Sequence, residues 1–492
     1  MSAINWLLVW EATLTLAVIL STAVTLLIFT LPTSYSHFHP HEQRETDFTE
    51  ADKTTSPEAS GYAYFRTHSH HGVLKQDASV QVVVLGDIGR SPRMQNHALS
   101  IATHGGHVDL IGYTDSEIHP ALRAHRSITI IPIPSFPLPP PTNTLTFLLL
   151  APLKLAWQLQ SLYHALGYLT APTKWLLVQN PPSIPLLLVA QTIAFVRNTR
   201  LVIDWHNLGF SLLALRLGTH HPLVTLASWH EGRCARAATA HFAVTDAMCR
   251  VLASRWNIKA VALHDRPAAH FQPLTKEQRL AFLRTRPELQ SGRDFDLETR
   301  SWRLLVSPTS WTEDEDFALL LDALSLYATA RRTDPVLPEL RAVITGKGPL
   351  QAHYKTLIAT MTANGELHGI TITTAWLSTT DYAALLASAD LGISLHTSSS
   401  GVDLPMKVVD MFGAGLPVAG WSRFEAWPEL VTEGVNGRGF GSAGELAGIL
   451  QGLFGREGGE LEGLRAGAVE EGGRRWGGEW GAVAGELFRL RG

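Results

Sequence analysis

"VQVVVLGDIGRSPRMQNHALSIATHGGHVDLIGY", from Val80 to Tyr113, decides the fold. Its first apolar run reads as a buried strand, and Gly86–Gly89 as a tight turn at the strand's carboxyl end. A helical pattern follows, then a second strand at Val108–Gly112. That is a βαβ unit, the element of parallel sheets whose ligands gather at strand carboxyl ends. The full Gly-x-Gly-x-x-Gly fingerprint is absent, so the turn gives no support to a nicotinamide cofactor.

Working outward, "WLLVQNPP" (Trp175–Pro182), "RLVIDWHN" (Arg200–Asn207) and "AHFAVTD" (Ala240–Asp246) supply further strands of the first series. A polar stretch ending in "QSGRDFDLET" separates it from a second series: "WRLLVSPTSW", "LRAVITGKGP", "ITITTAWL", "ADLGISLHT" and "GLPVAGW". The expected fold is α/β, with two Rossmann-like lobes facing a cleft and one N-terminal transmembrane helix. The expected divisions are an anchor at 1–31, a polar stalk at 32–78, an N-terminal lobe at 79–270 and a connection with an insertion at 271–300. A C-terminal lobe at 301–440 and a helical tail at 441–492 complete the chain.

The 492 residues are 45% hydrophobic and carry a formal net charge of −4, which removes the basic excess a nucleic-acid binder needs. Two cysteines, Cys234 and Cys249, form no disulfide framework or metal spacing, and no Asn-x-Ser/Thr sequon occurs; both absences suit a catalytic body facing the cytosol. Ala12–Leu31 is uncharged over 20 residues, about one bilayer core as a helix. The first Lys or Arg after it is Arg44, which favours an uncleaved anchor over a signal peptide. The histidines of the stalk read as solvated linker. Ile131–Pro141 is proline-rich and stiff. The segment after it, "LTFLLLAPLKLAWQL", has two readings: a core helix, or a surface helix dipping into lipid with Lys154 and Trp157 at the interface.

Chemistry concentrates in the second series. "SGVDLPMKVVDMFGAGLP" (Ser400–Pro417) predicts a helix that starts at Pro405 and stops near Gly413 and Gly415. Lys407 then lies in the first turn, where the helix dipole disfavours a cation, with Asp410 one turn on and on the same side. An anion bound at that N-terminus would offset the lysine; the competing reading has Asp403 cap the helix and pair with Lys407. In "TGKGP" the glycines Gly346 and Gly348 leave backbone N–H groups free and Lys347 adds charge, which suits a phosphate. In "SPTSWTEDEDF", Asp314 and Asp316 have Asp-x-Asp spacing, but Thr312 with Glu315 reads better as a capping box. Thr309 and Ser310, on the loop before it, are candidate ligand contacts. At the rim of the first series, Asp87, Asp204 and His206 are candidate proton acceptors, with no one of them singled out. No metal site is predicted.

Taken in order, "VLGDIGRSPRMQNHA", "IDWHNLGFS", "SPTSWTEDEDF", "TGKGPL", "SSSGVDLPMKVVDMFGAGLPV" and "ELVTEGVNG" resemble the chitobiosyldiphosphodolichol β-mannosyltransferases over roughly residues 80–440. The resemblance implies a GT-B glycosyltransferase held by a single span in the endoplasmic reticulum membrane, its lobes in the cytosol. It implies transfer of mannose from GDP-mannose to GlcNAc2-diphosphodolichol in a β-1,4 linkage with inversion, the first mannosylation of the lipid-linked oligosaccharide for N-glycosylation. No tightly bound cofactor is implied, and a divalent cation is compatible without being called for. Other glycosyltransferases of the dolichol pathway are implied partners. The donor would lie on Ser310, Gly346, Lys347, Gly348, Lys407 and Asp410, the acceptor on Gly86, Gly89, Arg90 and Asn207. Many retaining GT-B relatives carry two glutamates eight positions apart where this chain has Asp403 and Asp410, seven apart. Only Asp410 aligns with the second acid. Two alternatives stand beside this reading: another membrane-bound nucleotide-sugar enzyme of the same fold, and an inactive scaffolding subunit.

Overall fold

The computed structural model describes residues 79–139, 143–286, 302–312, 315–455 and 459–490, with isolated positions between 10 and 22. The expected anchor is outside the described residues apart from those positions; the stalk, residues 287–300 of the insertion, and Asp314 lie outside them.

Two sheets organise the chain. The first has the order β3-β2-β1-β4-β5-β6-β7. Its strands are β1 (Ser79–Asp87), β2 (His107–Tyr113), β3 (Ile128–Pro132), β4 (Trp175–Asn180), β5 (Arg200–Trp205), β6 (Ala240–Ala243) and β7 (Val261–Ala262). The second has the order β10-β9-β8-β11-β12-β13. It comprises β8 (Trp302–Pro308), β9 (Glu339–Thr345), β10 (Ile370–Ala375), β11 (Leu391–Ser394), β12 (Val418–Trp421) and β13 (Gly437–Phe440). Every neighbour pair of the second sheet is parallel, as are β1–β2, β1–β4, β2–β3 and β6–β7 in the first. In each sheet the order reverses beside the first strand, at β1/β4 and at β8/β11. Those are the switch points where doubly wound sheets leave a crevice for ligands.

The helices that matter below are α1 (Pro92–Thr103), α2 (Thr144–His164), α3 (Leu186–Val196), α4 (Asp246–Trp256), α5 (Phe317–Thr333), α6 (Met406–Gly413) and α7 (Gly459–Gly473). Two compact units divide the chain: Met1–Asp204 with Thr225–Ala240 and Leu487–Gly492, and Trp205–Val224 with His241–Glu486.

Alternation along β8 builds the core of the second unit. Leu305 joins a cluster with Leu320, Leu324 and Tyr327 of α5. Leu304 and Val306 face the other way, onto Val408, Val409, Met411 and Phe412 of α6. The period of two is what buries both faces of a parallel sheet. The core reading of the segment after the proline run does not hold: in Leu145–Leu169 the most apolar 18-residue window is only 6% buried. Its far end is fixed by Arg197, which is buried and donates to the carbonyls of Leu166, Gly167 and Thr170. Burial pushes that guanidinium down to about 10.

The tail is helical, and two of its glycines serve contact. A Cβ on Gly472 of α7 would lie 1.9 Å from the Phe412 carbonyl oxygen, and one on Gly467 2.1 Å from that of Val435. The missing side chains let α7 seat directly on the end of α6. Gly463, in the same helix, has open space around it. Gly472→Ala should therefore cost about 2–3 kcal/mol through forced displacement. Gly463→Ala should stabilise by up to about 1 kcal/mol through helix propensity. Chemical denaturation of the two variants checks the opposite signs.

Candidate active site

Loops at the β8/β11 switch point carry a network of polar contacts. Glu315, which the sequence suggested as part of a capping box, is buried and bridges to His396. The cap of α5 is Asp316 instead, whose side chain accepts from the Ala318 N–H at 3.1 Å. Glu315 accepts from Thr309 Oγ1 at 2.6 Å and from the Ser310 N–H, and its other oxygen pairs with Lys407. Lys407 Nζ also donates to Ser310 Oγ at 3.3 Å. The lysine at the positive end of α6 is thus balanced by a buried carboxylate from another loop. The sequence reading offered Asp403 for this role and not Glu315, which is 92 residues away and fits a local cap equally well.

Asp403 neither caps α6 nor pairs with Lys407. Pro405 holds the cap position, with no side-chain bond to the helix. Asp403 turns back into its own loop, accepting from Ser398, from Ser400 Oγ at 3.0 Å and from His396 Nε2 at 3.2 Å. Burial alone would raise its pKa; the His396, Ser398 and Ser400 donors outweigh it and hold the carboxyl below the ordinary range. The neighbouring Ser399 accepts from Asn207 Nδ2 at 3.1 Å.

Lys407, in the first turn of α6, pairs with Glu315, and Asp410 follows one turn on. Asp410 is pushed up to about 8 by burial and by the charge of Asp265. It is protonated at neutral pH and able to donate a hydrogen bond.

The glycine loop after β9 also differs from expectation. The Gly346 N–H is not free: it donates to the Ala375 carbonyl at 3.3 Å. Gly346 has φ +123°, and a Cβ there would lie 1.8 Å from the Thr309 oxygen; one on Gly348 would lie 1.8 Å from the Ser310 oxygen. The glycines let this loop lie flat against the 309–311 loop. Lys347 sits over the ring of Trp376, Nζ 4.4 Å from its centroid, and Trp376 is 66% exposed. That aromatic went unremarked in the sequence.

In the first unit, Asp87 ends β1 and caps the turn. It accepts from the Gly89 and Ser116 N–H groups, both at 3.2 Å, and lies 3.5 Å from Arg90 Nε. Burial raises its pKa, but Ser116, Gly89 and Arg90 together hold it below the ordinary carboxylate range. Gly89 is needed for close approach, since a Cβ would meet the Glu117 oxygen at 2.6 Å, whereas Gly86 has ordinary room. Arg90 is exposed and donates to Ser116 Oγ.

Asp204 is not available as a base. It is fully enclosed, accepts both 2.8 Å bonds of a bidentate Arg93 and lies 3.3 Å from His97 Nε2. This pair ties β5 to α1. A carboxylate so paired and hidden from solvent holds position and does not meet substrate. His206, just past the end of β5, is half-buried. For metal binding, Asp246, His264 and Glu429 are a candidate group, with ligand atoms within 4.8 Å. Its members already bond one another. Glu429 accepts from the Asp246 and Ala247 N–H groups of α4 at 2.6 Å each, and His264 lies 3.3 Å from both Glu429 and Glu479.

No family model matches the chain. It is 48% identical to the chitobiosyldiphosphodolichol beta-mannosyltransferase of Arthroderma benhamiae, over 84% of this chain and 91% of that protein. The chain belongs to this family. The Mus musculus member is 40% identical over 81% of this chain and 86% of its own length. A relative from Arabidopsis thaliana, 39% identical over 81% of this chain and 94% of its own, is named the UDP-glycosyltransferase TURAN. Among solved structures, Anabaena HepE in complex with UDP superposes with a TM-score of 0.58 at 17% identity, covering 83% of this chain and 99% of that one. Sucrose-phosphate synthase of Thermosynechococcus elongatus gives 0.58 at 14%, over 84% and 97%. These confirm the GT-B arrangement, and like its family this chain is a glycosyltransferase.

Two outcomes test this geometry. Lys407→Ala strands the buried Glu315 charge and should cost about 2 kcal/mol, and adding Glu315→Gln should recover most of it; a double-mutant cycle of denaturation measures both. For Asp410 the folded pKa of about 8 lies above the ordinary 3.8, so the unfolded state loses its proton first. Stability should fall as pH rises from about 4 to about 8. Asp410→Asn should flatten that fall, read from melting temperature across the range.

Proposed function

We propose that the chain transfers mannose from GDP-mannose to the distal GlcNAc of GlcNAc2-diphosphodolichol with inversion, the first mannosylation of that lipid-linked glycan. The observation that carries the donor half is Lys407 at the uncapped N-terminus of α6. Its ammonium has three N–H donors, Glu315 and Ser310 take two, and the third is left for a phosphate oxygen beside the helix N–H groups. Protonated Asp410 donates to a hydroxyl or ring oxygen of the nucleotide sugar, and Lys347 with Trp376 adds a cation and an aromatic face at the same edge of the sheet.

On the acceptor side, Arg90 meets the lipid diphosphate, and Asn207 helps seat the sugar. His206 takes the proton from the acceptor 4-hydroxyl. The oxygen then bonds to the mannosyl anomeric carbon as that carbon's bond to GDP breaks. Charge developing on the departing diphosphate is met by Lys407 and the helix N-terminus. Of the three base candidates, Asp204 is enclosed by Arg93 and His97 and Asp87 is engaged in holding its turn, which leaves His206, half-buried just past the end of β5. The acceptor and the pathway place the work at the endoplasmic reticulum membrane, on its cytosolic face, among other enzymes of the dolichol pathway.

Purified protein with labelled GDP-mannose and a GlcNAc2-diphosphate-phytanyl acceptor should yield the mannosylated product. Because one relative is named for a UDP donor, UDP-glucose and UDP-GlcNAc run in parallel; equal transfer from them overturns the donor assignment. His206→Gln should lower kcat about 100-fold or more with GDP binding retained. An unchanged kcat would move the proton transfer to Asp87. Lys407→Ala combined with Glu315→Gln should remain folded yet bind GDP weakly.

A further inference from the structure

We propose that the cavity lined by Ser116, Glu117, Ile118 and Arg123 is the subsite for the N-acetylhexosamine bonded to the acceptor's diphosphate, with Glu117 and Arg123 determining specificity. This rests on the lipid-linked acceptor proposed above, whose diphosphate meets Arg90. The cavity has a volume of about 700 Å³, room enough for a sugar. Its wall is the segment that follows β2, and several contacts press that segment against the Asp87–Arg90 turn. The Ser116 N–H donates to Asp87 Oδ1, and Arg90 Nε donates to Ser116 Oγ, both at 3.2 Å. Gln95 of α1, itself buried, donates to the Ile88 carbonyl at 2.9 Å and accepts from the His119 N–H at 3.0 Å. Gly89 allows the approach, since a Cβ there would meet the Glu117 oxygen at 2.6 Å. Turn and cavity are thus held together. Arg90 commits only its Nε here, and among the described residues its Nη groups have no partner.

Charge decides what enters. Glu117 and Arg123 both line the cavity and are exposed, and among the described residues neither makes an ion pair or a side-chain hydrogen bond. Opposite charges that share a wall without pairing stay available to a ligand. The carboxylate repels a second phosphate, so the diphosphate stays on Arg90 and an uncharged neighbour takes the cavity. Two groups are bonded to that diphosphate, a sugar and a polyprenyl chain. The chain would strip water from both charges and return no hydrogen bond. A sugar gives hydroxyl donors to Glu117, and its acetamido carbonyl accepts from Arg123. The acetamido methyl finds apolar contact in Ile118 and Pro120.

The wall is built to hold these two side chains in place. Arg123 lies in the last turn of the short helix Pro120–Ala124, whose start is capped by His119, Nδ1 accepting from the Ala121 N–H at 3.2 Å. Ile118 and Leu122 are buried, so Glu117 and Arg123 each stand beside an anchored residue with their own side chains unspent. The hydroxyl that reacts belongs to the second sugar. Recognition of the first therefore adds discrimination that the transfer chemistry does not itself require.

The test gives the full chain GDP-mannose and two acceptors. One is GlcNAc2-diphosphate-phytanyl; in the other the diphosphate-bearing sugar is glucose, a hydroxyl replacing the acetamido group. The unmodified protein should prefer the first by about tenfold or more in kcat/KM. Arg123→Ala should lose about tenfold on the first acceptor and change little on the second, so that the preference collapses. Glu117→Ala should raise the acceptor KM about tenfold and leave the KM for GDP-mannose in place. Both variants should keep the melting temperature. Arg126→Ala, exposed and outside the cavity, should keep the preference. A preference absent from the unmodified protein or retained by Arg123→Ala, or equal loss on both acceptors, overturns the proposal. A second readout needs no transfer. Saturation transfer by NMR from protein to the acetamido methyl of a soluble GlcNAc diphosphate should be clear in the unmodified protein and lost in the E117A/R123A variant; equal signals overturn the subsite. Failure of the unmodified protein on both acceptors would overturn the proposed reaction instead, and the saturation readout would still decide the subsite.

Discussion

The ion pair between Glu315 and Lys407 is the constraint on which the donor edge depends. It joins the loop after β8 to the first turn of α6, and the same loop is pressed upon by the glycines after β9. Three strand-end segments are thereby held in one arrangement. Each would be poorly placed alone: a cation at a positive helix end, a buried carboxylate, and a backbone conformation at Gly346 that side chains rarely adopt. Together they offset one another.

The first unit solves the matching problem with different residues. There a buried Arg93–Asp204 pair, with His97 alongside, ties the end of β5 to α1. The turn between β1 and α1 is kept open by Asp87, which occupies the N–H groups of Gly89 and Ser116. The first unit thus places a buried, fully engaged charge pair behind the loop and leaves Arg90 exposed at the edge, whereas in the second Lys407 is itself a member of the pair. The engaged pair fixes the backbone.

Much of this was legible in the sequence. Strand runs such as Val80–Leu85 and Leu304–Val306 are read from apolar periodicity, and the start of α6 from Pro405, because those signals are local. Glu315 was misread because a capping box and a long-range ion pair ask for the same residue type at that point, and only the tertiary fold selects between them. Asp204 was misread for a related reason. The strand end placed it at the rim, but the sequence does not show that Arg93 already holds both of its oxygens. Asp403 and Asp410 look alike in sequence and part in structure: three donors keep one ionised, while burial beside Asp265 keeps the other protonated.

The partition of Glu315 would let Lys407 bind a diphosphate, as proposed, without disturbing the fold. One carboxylate oxygen is held by Thr309 and Ser310 and the other by Lys407. If an arriving diphosphate drew the ammonium partly away, the first oxygen would keep both of its donors. The carboxylate would not be stranded in a dry site. An aspartate at 315 would be too short to satisfy both loops, and a glutamine would satisfy the loops but leave the lysine unbalanced at the helix end. Glutamate is the residue that can hold the backbone and release the cation by degrees. The geometry of the site therefore favours a lysine whose charge is shared before the ligand binds and redirected, not uncovered, when it does.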